Sequence, residues 1–221
     1  MVSKSKANKK TKGLSHTLSS GDPSRSVLAE GQSCSFGSRR RTPNLFQPWK
    51  ATILGVDPAT VQTGYCLLDC GEYISSGWFT SCHKQIEETI RHAIRSSIYH
   101  KNPLVVVCED WFGSVKVVKA LCEERGRWLQ EFEKQTAQYG VTSSFVVVHA
   151  STWANAYGLP KTSAARKKAS VAIANTLTNH RREITNDNEA DAILIANFAS
   201  KWSGLSKLKL TPNKIEEVRG I

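Results

Sequence analysis

The apolar positions of this 221-residue chain form short runs separated by longer amphipathic stretches. Short runs of apolar and aromatic residues predict five strands, over 52–57, 65–68, 73–79, 104–108 and 144–149. Apolar residues at helical spacing predict four helices, over 84–99, 115–138, 161–178 and 187–202. Three successive strands followed by alternating helices and strands indicate an α/β fold, with a mixed sheet flanked by helices.

Three of these segments carry carboxylates at their ends. The first strand ends on Asp57, the fourth is followed by Glu109, and the last helix begins with Asp187. Asp191 lies four residues after Asp187, so the two share one face of the helix. Carboxylates brought together repel one another strongly, and divalent cations usually compensate them. The segments therefore predict a metal site of the kind that two-metal nucleases use.

The start of the last helix has its own signal. Asn186 stands where an N-cap residue is expected, and Glu189 follows three residues later as the reciprocal acid of a capping box.

Composition predicts one folded domain with tails. Apolar residues make up 40% of the chain, enough for one sizeable core, and no apolar run is long enough to cross a membrane. The net charge of +11 is concentrated in residues 1–50, which carry ten Lys and Arg against two acids. We expect a disordered basic arm over 1–48, a domain over 49–202 and a C-terminal tail over 203–221.

Two basic segments are candidates for binding nucleic acid. The arm would gain affinity for phosphates through counterion release, although a merely solubilising leader is the alternative. The segment 161–178 is cationic in its first half, and we expect it to meet phosphates rather than form an ordinary solvated face. Its candidate DNA-binding residues are Lys161, Arg166, Lys167 and Lys168.

The six cysteines include no CxxC pair and have no histidine at zinc-binding spacing, which favours free thiols in a reducing compartment. We expect a cytoplasmic protein of a bacterium or phage-infected cell, and nuclear or organellar targeting by the arm stays open.

Four motifs occur in one order between about 52 and 200: GVDPATVQTGY, CEDWF, EERG and NEADAILIA. Together they resemble the RuvC-type Holliday-junction resolvases, including phage versions, of the ribonuclease H-like superfamily. The resemblance implies a ribonuclease H-like mixed five-stranded sheet flanked by helices. It also implies a magnesium-dependent endonuclease that resolves four-way or branched DNA and leaves 5′-phosphate and 3′-hydroxyl ends.

The resemblance assigns roles to particular residues. Two Mg²⁺ ions, or Mn²⁺ in their place, would be held by catalytic carboxylates at Asp57, Glu109, Asp187 and Asp191. A lysine near the phosphate, Lys167 or Lys168, would offset negative charge in the transition state, and Lys168 is the residue we select.

The resemblance further implies DNA and protein contacts. Phe112, the aromatic residue three positions after Glu109, is a candidate wedge between bases. A four-way junction has approximate two-fold symmetry, so a homodimer is expected, with the amphipathic helix 115–138 as its candidate surface. Four tryptophans are expected to serve packing: Trp78, Trp128, Trp153 and Trp202.

One position departs from the family pattern. The family places its fourth acid three residues before the last Asp, where this chain has Asn188. Asp187 and Glu189 flank that position, and helix geometry favours Asp187 because residues four apart share a face. The fourth ligand stays open among these three residues.

Two other classes of protein share parts of this pattern. In sugar kinases and actin-like ATPases, the first strand also ends on an Asp, followed by a turn that contains a small residue and a Thr. Those proteins need two such domains. A non-catalytic binder of branched nucleic acid, with a degenerate site, is the second alternative. Magnesium-dependent cleavage of a junction separates these possibilities.

Overall fold

A computed structural model describes residues 50–110, 115–202 and 214–218, with side chains over 50–110 and 118–202. All of them belong to the second of two units in the chain, Pro43–Ile221. The strands are β1 (Thr52–Asp57), β2 (Gln62–Asp69), β3 (Glu72–Thr80), β4 (Leu104–Asp110), β5 (Ser143–His149) and β6 (Lys214–Val218). The helices are α1 (His83–His100), α2 (Val115–Tyr139), α3 (Ala150–Ala156), α4 (Ser163–Leu177) and α5 (Asp187–Lys201).

The strands form one mixed sheet in the order β3-β2-β1-β4-β5-β6. The first three strands pair antiparallel, and β4, β5 and β6 continue the sheet in parallel from β1. The α/β fold and the five predicted strands are confirmed. Two elements were not predicted: the edge strand β6, which lies in the predicted tail, and the short helix α3. In neither segment do the apolar residues recur at the spacing of a strand or a helix.

Helices cover both faces of the sheet and create two apolar cores. On one face, α1 and α2 pack against β1, β4 and β5 around Ile90, Trp128 and Phe145. On the other face, α3, α4 and α5 pack around Trp153, Ala174 and Ile195. Every residue of the central strand β1 is buried, and helices pack on both faces of the sheet around it. This packing fixes the position of the last residue of β1, Asp57.

Helix α5 lies directly on the backbone of β1 and β2 because two glycines leave room for it. A Cβ added at Gly55 would lie 2.6 Å from the backbone oxygen of Ala192. A Cβ added at Gly64 would lie only 1.9 Å from the backbone oxygen of Asn188. Gly64 lies inside β2 opposite Asp57, and its lack of a side chain admits the start of α5.

A tight hairpin turn joins β2 and β3. Cys70 and Gly71 form its two-residue loop, with φ of 50° and 84°. Positive φ at both central positions matches the right-handed twist of the flanking strands, and glycine accepts that conformation without strain.

The amphipathic helix α2 does not offer its apolar stripe as a dimer surface. Leu121, Trp128 and Phe132 are buried within the chain's own core, where the Trp128 ring stacks on Phe79 with 6.2 Å between centroids. The apolar stripe that suggested an interface therefore packs within the protein's own core.

The other tryptophans differ in exposure. Trp153 is fully buried, and Trp202 is partly buried against the core around α5, as expected of packing residues. Trp78 is 46% exposed on β3, so it does not fit the predicted packing role as the other three do.

The cysteines of the described part are free thiols: Cys66, Cys70, Cys82, Cys108 and Cys122. None of the described helices is long and apolar enough to cross a membrane.

Candidate active site

Two strand ends bring the first pair of carboxylates together. Asp57 ends β1, and Glu109 lies near the end of the adjacent parallel strand β4, one residue beyond the Val56–Cys108 pair. Parallel neighbours end at the same edge of a sheet, so the two acids meet there. Both side chains are buried.

The start of α5 supplies the second pair. The side chain of Asn186 caps the helix by accepting a hydrogen bond from the backbone N–H of Glu189 at 3.1 Å, which confirms the predicted cap. Asp187 and Asp191 therefore stand one turn apart, and both line the cavity into which Asp57 and Glu109 open.

This cavity has a volume of about 600 Å³. It combines four carboxylates with three cations and several small or polar residues: Asp57, Glu109, Asp187, Asp191, Lys161, Arg166, Lys167, His149, Ala150, Ser151, Ser163 and Asn188. The site thus joins segments that lie more than 130 residues apart in the chain.

Burial and mutual repulsion make ionisation of the acids unfavourable. Burial raises the pKa of Asp57 well above its usual value, and the charges of Glu109 and Asp191 raise it further. Burial, followed by the charge of Asp191, raises the pKa of Glu109 to about 8. The pKa of Asp191 is also raised, mainly by burial. A bound cation would reverse these effects by favouring the charged carboxylates.

Two cations partly compensate this charge. The Arg166 guanidinium lies 4.9 Å from the centroid of the buried Trp153 ring, and its charge lowers the pKa values of Asp57, Glu109 and Asp191. Lys167 Nζ lies 2.5 Å from Asp187 Oδ2, and this contact raises the pKa of the lysine.

The donor chemistry of the cavity fits a divalent metal ion. Oδ1 of Asp57 and Oδ1 of Asp191 are buried without a hydrogen-bond partner among the described residues. Carboxylate oxygens are the hard ligands that Mg²⁺ and Mn²⁺ favour. Within the described part of the chain, however, no three His, Cys, Asp or Glu side chains are assembled closely enough to hold a metal. Asp187 is engaged by Lys167, so a metal at that carboxylate would have to displace the lysine.

Comparison with known proteins gives a structural likeness without a sequence match. No protein-family model matches the chain, and no curated protein matches its sequence. The structure of Thermus thermophilus RuvC in complex with Holliday junction substrate is similar, with a TM-score of 0.50 at 12% identity, over 68% of this chain and 93% of that one.

A structure of Thermus thermophilus RuvC gives a TM-score of 0.48 at 12% identity, over 67% of this chain and 93% of that one. The yeast mitochondrial Holliday junction resolvase Ydc2 gives 0.41 at 14% identity, over 73% of this chain and 85% of that one. The likeness to the first of these structures is one of fold. The fold of this chain is ribonuclease H-like, as in RuvC.

Within this RuvC-like fold, the three candidates for the fourth ligand have different surroundings. Asp187 and Asn188 both line the cavity, and Glu189 does not. The Asn188 side chain donates a hydrogen bond to the backbone oxygen of Gln62 at 2.7 Å, so its amide ties α5 to β2. Glu189 is 2% exposed and forms an ion pair with Arg182.

Glu189 therefore does not act as the reciprocal acid of the predicted capping box. Besides Arg182, its carboxylate accepts a hydrogen bond from Ser76 Oγ on β3 at 2.5 Å. The helix cap at Asn186 is real, but the glutamate stabilises the start of α5 through the edge of the sheet instead.

The predicted cations divide into two groups. Lys161, Arg166 and Lys167 line the cavity, whereas the exposed Lys168 does not. Our selection of Lys168 over Lys167 is thus not supported by the geometry, because successive helical residues point about 100° apart. Phe112, the predicted wedge, lies outside the described residues.

Residues that sequence reasoning missed also line the cavity. His149 and Ser151 stand where β5 passes into α3, and His149 Nδ1 lies 2.7 Å from Ser151 Oγ. A signal was available for His149, since β5 is parallel to β4 and ends at the same edge of the sheet. Trp153 was expected only to pack, but it also supports Arg166.

The raised pKa values predict that the metal-free protein loses stability as the pH rises. Folded Glu109 keeps its proton up to about pH 8, whereas an unfolded glutamate loses it near pH 4.3. Between these values the folded state binds more protons than the unfolded state, so the free energy of unfolding falls with pH. Thermal unfolding in EDTA between pH 5 and 9 measures this slope.

The variant Glu109→Gln is the control for this measurement. It cannot ionise at this position, so its unfolding temperature should depend less steeply on pH than that of the wild type. Equal slopes in the two proteins would contradict the assignment of a protonated, buried Glu109.

Proposed function

We propose that this protein is a divalent-metal-dependent endonuclease that cuts branched DNA, four-way junctions in particular. The observation that carries the proposal is that four carboxylates, from β1, β4 and α5, line one cavity that three cations also line. The ribonuclease H-like fold supports it, because the similar RuvC structure is a complex with a Holliday junction substrate. The net charge of +11 suits a polyanionic partner.

In this proposal the carboxylates of the cavity bind the metal ions and its cations bind the phosphate. Two magnesium ions, or manganese ions in their place, would be held by Asp57, Glu109, Asp187 and Asp191. Such ions, when bound, lower the pKa of a water and stabilise charge on the leaving oxygen. Lys161, Arg166 and Lys167 would bind the phosphate, since they are the cations on the cavity wall among the described residues. The proposed products carry 5′-phosphate and 3′-hydroxyl ends.

A homodimer is part of the proposal. One active site cuts one strand, and resolving a four-way junction requires two cuts related by approximate two-fold symmetry. The mass of the protein in solution, alone and with a junction, measures this state. A single protomer on a junction that is still cut symmetrically would contradict it.

Cleavage of synthetic DNA tests the function directly. We expect paired, religatable nicks near the crossover of a labelled four-way junction in Mg²⁺ or Mn²⁺. We expect none in EDTA, and far less cutting of a linear duplex with the same arm sequences. Equal cutting of duplex and junction would contradict structure-specific cleavage.

A non-catalytic binder of branched nucleic acid is the second candidate. Two observations favour it: Asn188 replaces an acid of the family pattern, and Lys167 holds Asp187 in an ion pair. Tight binding of junctions with no cleavage in either metal would establish this alternative.

Asp187→Ala should raise the Mg²⁺ concentration needed for half-maximal cleavage by at least about tenfold, the scale on which metal-site residues act. The reason is that Asp187 lines the same cavity as the other three acids. Magnesium titration of cleavage rates measures the shift.

Glu189→Ala is the matched control. It removes an equal charge two residues away but outside the cavity, so it should cost about 1–3 kcal/mol of stability and leave the Mg²⁺ requirement unchanged. Asn188→Asp should also destabilise the start of α5, because an aspartate cannot donate to the Gln62 oxygen. If Glu189→Ala shifts the Mg²⁺ requirement and Asp187→Ala does not, the ligand assignment is wrong.

Deleting residues 1–48 should leave a folded, metal-dependent nuclease that binds junctions more weakly. The deleted segment carries nine Lys and Arg, so the dependence of log Kd on log salt concentration should become shallower. Binding measured between 50 and 200 mM salt, the range over which about 10³-fold changes occur, tests this. An unchanged slope would assign the arm to targeting or solubility.

A further inference from the structure

One aromatic side chain on the edge strand β3 is unusually exposed for its size. Trp78 is 46% exposed, whereas the next residue, Phe79, is buried and packs toward α1 and α2. Successive residues of a strand point to opposite faces, so Trp78 lies on the face that carries α5. Its strand neighbours Gly77 and Thr80 are small or polar.

Strand register places this ring in line with the candidate active site. Asp57 pairs with Gly64, and Gly64 pairs with Trp78, so the three residues form one row across the sheet. Paired residues in neighbouring strands project from the same face. With strands ~4.8 Å apart, the Cα atoms of Asp57 and Trp78 lie roughly 10 Å from each other.

Among the described residues, the start of α5 lies between the Asp57 and Trp78 side chains. Gly64 has no side chain, and the space above it is occupied by the backbone of Asn188. Trp78 therefore stands just beyond the first turn of α5, while Asp57 and Asp187 line the cavity at that turn.

A cation flanks the ring along the same strand. Arg182 donates a hydrogen bond to the backbone oxygen of Ser76 at 2.9 Å, and its side chain is 45% exposed. Ser76 lies two residues before Trp78 and so shares its face of the sheet. The same guanidinium pairs with the buried Glu189, which holds it against the strand. An exposed indole is the kind of side chain on which a nucleobase stacks.

We propose that Trp78 is a stacking platform for a nucleobase of the branched DNA, beside the phosphate held near Asp57. The inference rests on the proposed function. The span of roughly 10 Å corresponds to about three nucleotides at 3.4 Å per nucleotide of helical DNA, and to fewer in an extended strand. Bases near a branch point are the ones that can unstack to reach such a platform. Stacking needs only a π-face, so the platform adds affinity for distorted DNA without selecting a sequence.

Two substitutions and one matched control test the platform. Trp78→Leu keeps apolar bulk but removes the aromatic ring, and Trp78→Phe keeps a ring. The control is Tyr99→Leu. Tyr99 is 81% exposed near the end of α1, which leads to the beginning of β4 and so to the end of the sheet opposite Asp57.

The probe is a set of four-way junctions with 2-aminopurine at each crossover-flanking position in turn, bound in metal-free buffer. Wild type and Trp78→Phe should quench the fluorescence at one or two positions, and Trp78→Leu should not. Loss of the ring should raise the junction Kd roughly 5- to 150-fold, the range that measured base–aromatic stacking spans. The salt dependence of Kd should stay unchanged, since no charge is removed. Tyr99→Leu should match the wild type.

A second measurement uses the unaltered protein. Junctions carrying 5-iodouracil at the quenched position should cross-link to the peptide that contains Trp78, as identified by mass spectrometry. This keeps the test decisive if Trp78→Leu fails to fold.

Several outcomes would overturn the platform. Unchanged quenching and affinity in Trp78→Leu would do so, as would cross-linking only to other peptides. A change in the oligomeric state of Trp78→Leu with unchanged junction affinity would mean that the ring contacts a second protomer instead. If the wild type cleaves junctions but Trp78 makes no contact, only this inference fails. If the wild type neither binds nor cleaves junctions, the proposed function fails as well.

Discussion

Asp57→Asn is expected to reduce junction cleavage by at least about 100-fold while junction binding stays intact or becomes tighter. Asp57 ends the central strand β1 and is the carboxylate on which burial, Glu109 and Asp191 all act together. The amide removes one negative charge, so the cavity holds a divalent ion less tightly but repels DNA phosphates less.

Thermal unfolding gives a readout of this variant that does not depend on cleavage. A ligand that binds only the folded state raises its stability, so Mg²⁺ should raise the unfolding temperature of the wild type. In Asp57→Asn this increase should be largely lost. In EDTA at high pH the variant should be the more stable protein, because it lacks a carboxylate whose ionisation is opposed by burial.

Asn102→Ala is a suitable control for these measurements. Asn102 donates a hydrogen bond to Asp69 at the opposite end of the sheet, so its replacement can cost stability without touching the cavity. Near wild-type cleavage by Asp57→Asn would overturn the active-site assignment. An unchanged response of its unfolding temperature to Mg²⁺ would remove Asp57 from the metal site.

Gly64→Ala is expected to lower stability by about 1–3 kcal/mol or more and to impair cleavage strongly. The added Cβ would lie 1.9 Å from the backbone oxygen of Asn188, which is far inside van der Waals contact. Backbone atoms at that position cannot rotate away, so the first turn of α5 must move. Asp187 lies in that turn, and the geometry of the cavity moves with it.

Urea unfolding and magnesium titration of cleavage measure the two effects of Gly64→Ala. Gly126→Ala is the matched control, because a Cβ there meets nothing within 4 Å and Gly126 lies inside α2. That control should gain about 0.5–1 kcal/mol, since alanine is the better helix former. A Gly64→Ala protein as stable and active as the wild type would show that α5 does not rest on β2 as described.

Local patterns in the sequence were enough to locate the main elements and the acids. The strands that carry Asp57 and Glu109 are nearly continuous apolar runs, which are typical of buried strands. The cap at Asn186 is equally local, because it depends on a side chain and a backbone N–H three residues apart. The parallel arrangement of β1 and β4 then follows from the helix between them.

Tertiary contacts decided which residues face the cavity. Glu189 is turned away because Arg182 and Ser76 bind it, and Ser76 lies 113 residues earlier in the chain. Lys167 rather than Lys168 meets Asp187 because of how α4 rotates against α5, and helical period alone does not set that rotation.

The local sequence pattern also did not predict how exposed each tryptophan side chain is. Trp128 and Trp78 are both tryptophans within predicted elements, yet one is fully buried and the other is 46% exposed. The difference arises because Trp128 meets Phe79 across the core, whereas Trp78 stands on an edge strand next to a glycine. Periodicity along the chain determines which residues can share a face, but the packing of distant segments determines which of those faces are covered.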